Sequence, residues 1–387
     1  MNVTAIEHFI GPGDLYCKTS LDRIKLSNGA DGRCFDEPSA FSRAPFFCSD
    51  PINTNVAPNG RTFCDPNFRH GRTGGMYVHH ANAITLLGGD AAVLHNGELV
   101  YDTTFDLAPW EPQSNAIRFL AGQWVSLKKR LKVTRQYSRG DYFIGFNGRY
   151  TNYCHWIQQT MSWHAAYLEM KAQYPGLKLV LPPFENGLFR YQTLKLLGIT
   201  DDEVVIIDDN EAASFDSAFF CSRIDLWIPP SYSVTAATKL GESVKADQTS
   251  SERIFLHRRV DRRKFANFEE HRELLERRGF QIVEFEDASV ARQISALKRA
   301  RFVIAEHGAA IINIMFCKPG ARILELFNPV CVQPAFWSIA SACNLDYGFL
   351  VGEHTPMNGC NSPDWNSAYS ISTKRMEVAI DALLAFC

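Results

Sequence analysis

No segment of this sequence offers the run of about eighteen uncharged, mostly apolar residues that a helix needs to cross a bilayer. Its first residues, MNVTAIEHFIGPGDLYCK, lack a basic region leading into an apolar run and a small-residue cleavage site, so no secretory leader is expected and a cytoplasmic protein is. Charge of one sign is lacking as well: 40 Lys and Arg stand against 42 Asp and Glu, a formal −2, which excludes a global field toward nucleic acid or an anionic membrane. Any cationic site must therefore be local. None of the 11 cysteines forms a CxxC pair, so a zinc or dithiol site is not expected and reduced thiols are. Local disulfides stay open for Cys17, Cys34, Cys48, Cys64 and Cys360, which lie in polar, Gly- and Pro-rich surroundings. No DxD with metal-ligand surroundings occurs. Asp201-Asp202 and Asp208-Asp209 are adjacent pairs in turns, so no metal is expected. There is no repeat of short period.

What is present is a chain of 387 residues, 46% hydrophobic and 21% charged, the balance of a folded protein with room for two cores. Residues 1 to 75 are broken by Gly, Pro, Asn and Asp and read as irregular structure or short strands. Between Met76 and Tyr101, VLHNGELV carries Asn96-Gly97 between two apolar runs, a hairpin signal. Strand and helix then alternate, which implies parallel sheet and an α/β fold. LKLVLP, EVVIID and SAFFCSRI read as strands, and LFRYQTLKLLG as a helix closed by Gly198. The polar stretch from Pro229 to Glu252 marks the boundary, with a short helix inside it. Beyond it RIFLH, QIVEF, RFVIA and ARILEL are strands separated by FEEHRELLERRG, SVARQISALKRA and AAIINIMFC as helices. The expected layout is a domain over 1–232 (β-rich to 140, α/β over 141–232), a linker at 233–250, an α/β domain over 251–350, and a loop with a closing helix over 351–387.

In an open parallel sheet, ligands bind beyond the carboxyl ends of the strands, where helix N-termini point. RFVIA ends at such a place. Glu306, His307 and Gly308 form the turn, and the helix after it would offer unpaired N–H groups and a positive dipole end to an anion. Gly308 leaves room or takes φ > 0, Ala309 and Ala310 keep the first turn low, and His307 is a donor for a phosphate oxygen. Asn313, inside an otherwise apolar helix, needs a partner or a ligand. The competing reading is a tight turn with an internally satisfied histidine. In FLHRRVDRRKF, Arg258, Arg259, Arg262 and Arg263 follow the first strand of the same half, and arginine forks grip phosphate oxygens in pairs. A solvated basic loop is the alternative there.

Upstream, TNYCHWIQQTMSWHAAYLEMKAQY reads as one amphipathic helix, with Tyr153, Trp156, Ile157, Thr160, Met161, His164, Ala165 and Leu168 at helical spacing. His164 belongs to that stripe and reads as core. His155 lies off it, on a face shared with Gln159 and Ser162, so three roles stand for it: a base near neutral pH, a structural histidine joining Asn152 to the neighbouring loop, or a ligand of the donor phosphate.

Taken together, NYCHWIQQTMSWHAAY, RIFLHRRVDRRKF and HGAAIINIMFCKPGARILELF resemble the N-Y-x-H-W, S-R-R and H-G-A segments of glycosyltransferase family 61, over roughly Phe143 to Phe327. The resemblance implies a GT-B fold of two Rossmann-like domains facing across a cleft. It also implies inverting transfer of a sugar from a nucleotide donor, commonly UDP-linked, to a glycan or glycolipid, with no other cofactor. Carried over by motif, the donor side would be Arg258, Arg259, Arg262, His307, Gly308, Ala309, Asn313 and Glu325; the acceptor side would be Asn152, His155, Trp156 and Gln159. Two positions depart from the pattern: His257 stands where serine is usual, and Gln159 where an aspartate often follows. With that acid missing, His155 is the expected base, and Glu286 beside Glu284 and Asp287 the fallback, against a reading of those three as an exposed acidic loop. Peripheral membrane association through the acceptor is compatible with this. A sugar-nucleotide epimerase on a related fold, or a binding protein without catalysis, is the competing function.

Overall fold

The computed structural model describes residues 31–37, 39–49, 70–72, 75–89, 91–95, 98–100, 133–184, 188–222, 224, 226–227, 229–356 and 362–385. The chain divides into two compact units, Met1–Pro38 with Gly74–Asp225, and Ser39–Thr73 with Leu226–Cys387. The second unit thus recruits an N-terminal piece that sequence reading assigned to the first domain. Residues 233–250 are not a linker either: helix Ser231–Glu242 occupies most of them and belongs to the second unit.

Strands up to residue 144 are β1 (Asp31–Asp36), β2 (Ala40–Ser42), β3 (Phe46–Ser49), β4 (His70–Arg72), β5 (Met76–Leu87), β6 (Ala92–His95), β7 (Glu98–Leu99), β8 (Val133–Tyr137) and β9 (Tyr142–Ile144). After them come β10 (Lys178–Leu181), β11 (Val204–Ile206) and β12 (Glu211–Cys221). The first unit is one mixed nine-stranded sheet in the order β11-β10-β9-β12-β5-β6-β7, with β1 on β5 and β8 on β12. β9, β10 and β11 are parallel, as the strand–helix rhythm requires. β12 is parallel to β9 but antiparallel to β5 from Ala212↔Leu87 to Cys221↔Val78, so the expected β-rich and α/β parts are one sheet. β6 and β7 pair as a hairpin, His95 opposite Glu98; its turn, Asn96-Gly97, lies outside the described residues.

Helix α1 is built of three pieces, Tyr153–His155, a π-helical turn Trp156–Thr160, and Met161–Lys171. It is not amphipathic: residues Cys154 through Tyr167 are all buried, polar ones included. α2 (Phe189–Leu196) ends as read, with Gly198 at φ +73°.

In the second unit, α3 (Ser231–Glu242), α4 (Phe268–Arg277), α5 (Val290–Leu297), α6 (Ala335–Ala342) and α7 (Thr373–Leu384) accompany β13 (Arg253–His257), β14 (Gln281–Glu284), β15 (Phe302–Glu306), β16 (Arg322–Phe327) and β17 (Asp346–Val351). β18 (Glu353–His354) pairs antiparallel with β19 (Tyr369–Ser370), and β2 with β4. The main sheet has the order β14-β13-β15-β16-β17-β3 and is parallel throughout. Phe255, Phe268, Leu275, Ile304, Leu324, Met376 and Ile380 are among the residues of its core, each nearly or fully excluded from water. A buried aliphatic or aromatic side chain of this kind contributes about 1.5–3 kcal/mol. On AAIINIMFC the structure corrects the expected α-helix: Ala309–Phe316 is a 3-10 helix, packed against α3, α5 and α6.

Candidate active site

Counting only the strands after the boundary, the parallel sheet runs second, first, third, fourth, fifth. The order reverses between the first and third, β13 and β15, and the carboxyl ends of strands at such a reversal are where open α/β sheets take their ligands. Arg258 follows β13 and His307 follows β15, so the chain order alone delivers both to the switch point. They meet. Arg258 Nη1 donates to the His307 carbonyl at 2.6 Å, while Nε and Nη2 have no protein partner among the described residues. Gly308 is extended, at φ 176°, so its glycine is a matter of space: a Cβ there would lie 2.7 Å from Arg258 Nε and 2.9 Å from Cζ.

Beneath this contact lies a buried polar stack. His307 Nδ1 is 2.5 Å from Glu325 Oε1, and the Tyr347 hydroxyl donates to the other oxygen of Glu325. Burial, reinforced by the charges of Arg263 and Arg258, drives the His307 imidazole well below its ordinary value, and burial drives the Glu325 carboxyl well above its own. The pair is therefore neutral, with Glu325 donating its proton to Nδ1 and Nε2–H left as the donor of His307. Glu325 touches no ligand in this arrangement; it sets the tautomer of a residue that can.

On the β13 side, Glu306 Oε1 accepts from the Arg258 amide at 3.3 Å and contacts His257 Nδ1 at 2.7 Å, and the His257 ring stacks on Phe268 with centroids 3.8 Å apart. The His257 departure thus has a structural role. Glu306 Oε2, the Tyr369 hydroxyl and Arg263 Nε are all buried without a hydrogen-bond partner among the described residues. Burial and the Glu306 charge hold the Tyr369 phenol well above its ordinary value, hence as a neutral donor.

The structure redistributes the four arginines. Arg259 is exposed: its amide donates to Glu286 at 2.9 Å, and its guanidinium lies 3.1 Å from Glu284 and bonds Asp287. Glu286 is thereby engaged on the surface and offers no free base. Arg262 is exposed. Arg263, grouped with the other three as a phosphate-gripping candidate but absent from the donor set carried over by motif, turns inward instead. It sits at φ +54°, its amide donates to Asn366 O at 2.8 Å, and its Nη1 reaches Cys331 Sγ at 3.5 Å. That left-handed backbone costs roughly 1–2 kcal/mol for a non-glycine residue. Pairing with residues 366 to 369 holds it there: Tyr369 N–H donates to Lys264 O at 2.9 Å and Ala266 N–H to Tyr369 O at 2.7 Å. No local signal separates Arg263 from Arg262. Asn313 is engaged in the core through Gln293 Oε1 at 2.8 Å and Ala310 O at 2.9 Å, so it needs no ligand. Ala309 is half-buried at the start of the 3-10 helix.

In the first unit, Asn152 caps α1, its side-chain oxygen accepting from Cys154 N–H at 2.9 Å and His155 N–H at 3.4 Å. Trp156 is wholly buried and donates Nε1–H to Thr193 Oγ1 at 2.9 Å, which makes it core and not acceptor surface. Gln159 and His155 do share a face: Nδ1 of the ring is 2.9 Å from Gln159 Oε1. Ser162, by contrast, is buried and donates to Gln158 O at 2.7 Å. His164 is core as expected, Nε2–H donating to Gly145 O at 2.8 Å. Cys34 and Cys48 form no disulfide among the described residues; Cys17, Cys64 and Cys360 lie outside them. Among the described residues no group of three or more His, Cys, Asp or Glu is placed to hold a metal ion, and no helix is long and apolar enough to cross a membrane.

A parallel sheet with arginine and histidine at its switch point defines an α/β protein of the open-sheet class, which takes ligands at that point. Residues 153–324, which include α1, the arginine loop and the His307 turn, match the family model described as Glycosyltransferase 61. That match implies glycosyltransferase activity, with a nucleotide-sugar donor and an acceptor as substrates. No curated protein matches the chain.

Proposed function

We propose that this protein is an inverting glycosyltransferase of GT-B architecture. It takes a sugar from a nucleotide donor, UDP-linked first among them, and passes it to a glycan or glycolipid hydroxyl in surface-polysaccharide synthesis on the cytoplasmic side. Contact with the membrane is peripheral, through the acceptor. The observation that carries this reading is the meeting of Arg258 and His307 at the switch point of the parallel sheet, inside the segment that matches the family.

The chemistry asks for positive charge where the diphosphate leaves and a base where the acceptor arrives. Arg258 presents two N–H-bearing nitrogens with no partner among the described residues and Arg263 stands beside it, so the leaving charge is met by two guanidinium groups. Neutral His307 adds an Nε2–H. His155, on the first unit, takes the acceptor proton. A thermal-shift series with UDP, GDP, CDP and CMP sugars reads the donor class, since a ligand held only by the folded state raises its melting temperature. Transfer from the best binder should vanish in His307→Ala. No shift with any nucleotide, or undiminished transfer by that variant, would refute the proposal.

A further inference from the structure

Orientation of the amide groups around His155 is determined from two backbone anchors. The Arg149 N–H donates to Asn147 Oδ1 at 2.9 Å, which turns the Asn147 amide nitrogen toward Gln159, whose Oε1 accepts it at 3.1 Å. At the other end Gln159 Nε2 donates to the Ile224 carbonyl at 2.5 Å, so this amide cannot be reversed without facing N–H to N–H and oxygen to oxygen. The oxygen that meets His155 Nδ1 at 2.9 Å can only accept. Asn147 and Gln159 are 8% and 3% exposed, so bulk water does not compete for these bonds. Gln159 stands at the π-helical turn of α1, on the same side as His155.

We infer that Gln159 is a positioning residue that holds the His155 imidazole in the Nδ1–H tautomer and so makes Nε2 the proton acceptor of the transfer reaction. The inference rests on the reading of His155 as the acceptor-side base. In that step the acceptor O–H bond breaks and its proton goes to Nε2. The freed oxygen bonds the anomeric carbon, and the bond from that carbon to the phosphate oxygen breaks, its electron pair leaving with the nucleotide diphosphate. Nδ1–H stays on Gln159 throughout, so no tautomer change interrupts the step. Being neutral, Gln159 adds no charge that would favour the imidazolium and remove the base at neutral pH.

Long-range 1H–15N spectra of the full chain labelled at histidine nitrogen, with His155→Asn identifying the signal, test the tautomer directly. The neutral wild-type ring should be protonated at Nδ1, and Gln159→Met, of similar length without hydrogen-bonding atoms, should lose that preference. A neutral wild-type ring protonated at Nε2 overturns the inference. In transfer assays with the UDP-sugar that binds, Gln159→Met should lower kcat by about tenfold or more with donor KM within about twofold. Gln159→Glu keeps an accepting oxygen toward His155 while giving up the bond to the Ile224 carbonyl, and should move the acidic limb of the kcat profile upward by about one pH unit or more. Correct tautomer with both kinetic readouts unmoved rejects the positioning role. Correct tautomer in a protein that transfers no sugar rejects the function on which that role rests.

Discussion

Arg258 crosses Gly308 so closely that a Cβ on residue 308 would stand 3.1 Å from Cδ as well as inside contact distance of Nε and Cζ. A guanidinium pressed onto bare backbone is held by the absence of a side chain, since the extended conformation of residue 308 suits any amino acid. Gly308→Ala should therefore leave the melting temperature nearly unchanged while displacing Arg258. Hydrogen bonds to charged groups contribute about 1.5–3 kcal/mol, so UDP binding by calorimetry should weaken roughly 10- to 100-fold. An unchanged Kd would show that Arg258 does not hold the nucleotide.

The four arginines should separate into two pairs. Arg258→Ala and Arg263→Ala are expected to lower UDP affinity by about tenfold or more each, and Arg258→Lys to restore little, because an ammonium lacks the planar fork. Arg259→Ala and Arg262→Ala should stay within about twofold, since the first is engaged by Glu284, Glu286 and Asp287 and both are exposed. Equal losses across all four would mean a diffuse basic surface.

Glu325→Gln tests whether the His307–Glu325 pair is neutral. A glutamine amide can donate to His307 Nδ1 and its carbonyl can accept from Tyr347, so the variant should melt within a few degrees of the wild type and keep UDP binding. Glu325→Leu leaves two buried polar groups unpaired, at about 1–3 kcal/mol each, and should be far less stable to urea. If Gln proves as damaging as Leu, the pair is ionic.

His164 gives the fold a pH dependence of known sign. Burial pushes its imidazole down to about 4 from 6.5, so in that window the unfolded chain binds a proton that the folded chain refuses. Stability contributed by this group is complete above pH 6.5 and declines as pH falls toward 4, by roughly 3 kcal/mol in all. His164→Gln keeps an N–H for the Gly145 carbonyl without titrating, and its urea midpoint should fall less between pH 7 and pH 4. An identical fall in both proteins would assign the acid sensitivity elsewhere.

Much of the architecture was legible because it is local. The strand and helix rhythm from Arg253 to Val351, and the stops at Gly198 and Gly279 with φ +73° and +75°, follow from short-range patterning. The helix α1 is not amphipathic because its off-stripe residues Gln159 and Ser162 are polar yet bonded inside the core, where periodicity alone signals exposure. β3 falls within residues 1 to 75, read only as irregular structure or short strands, because a four-residue strand has no period of its own to place it; it is a strand through its pairing with β17.

The sequence by itself determined that Arg258 and His307 would lie on one rim, because each directly follows a strand and parallel strands end together. Tertiary structure alone decided that Arg263 and not Arg259 or Arg262 would join them, and that Glu325 would carry the proton beneath His307. Side-chain direction in an irregular loop is set by bonds to distant backbone, here residues 366 to 369, and a carboxyl changes its protonation only when burial removes the water around it.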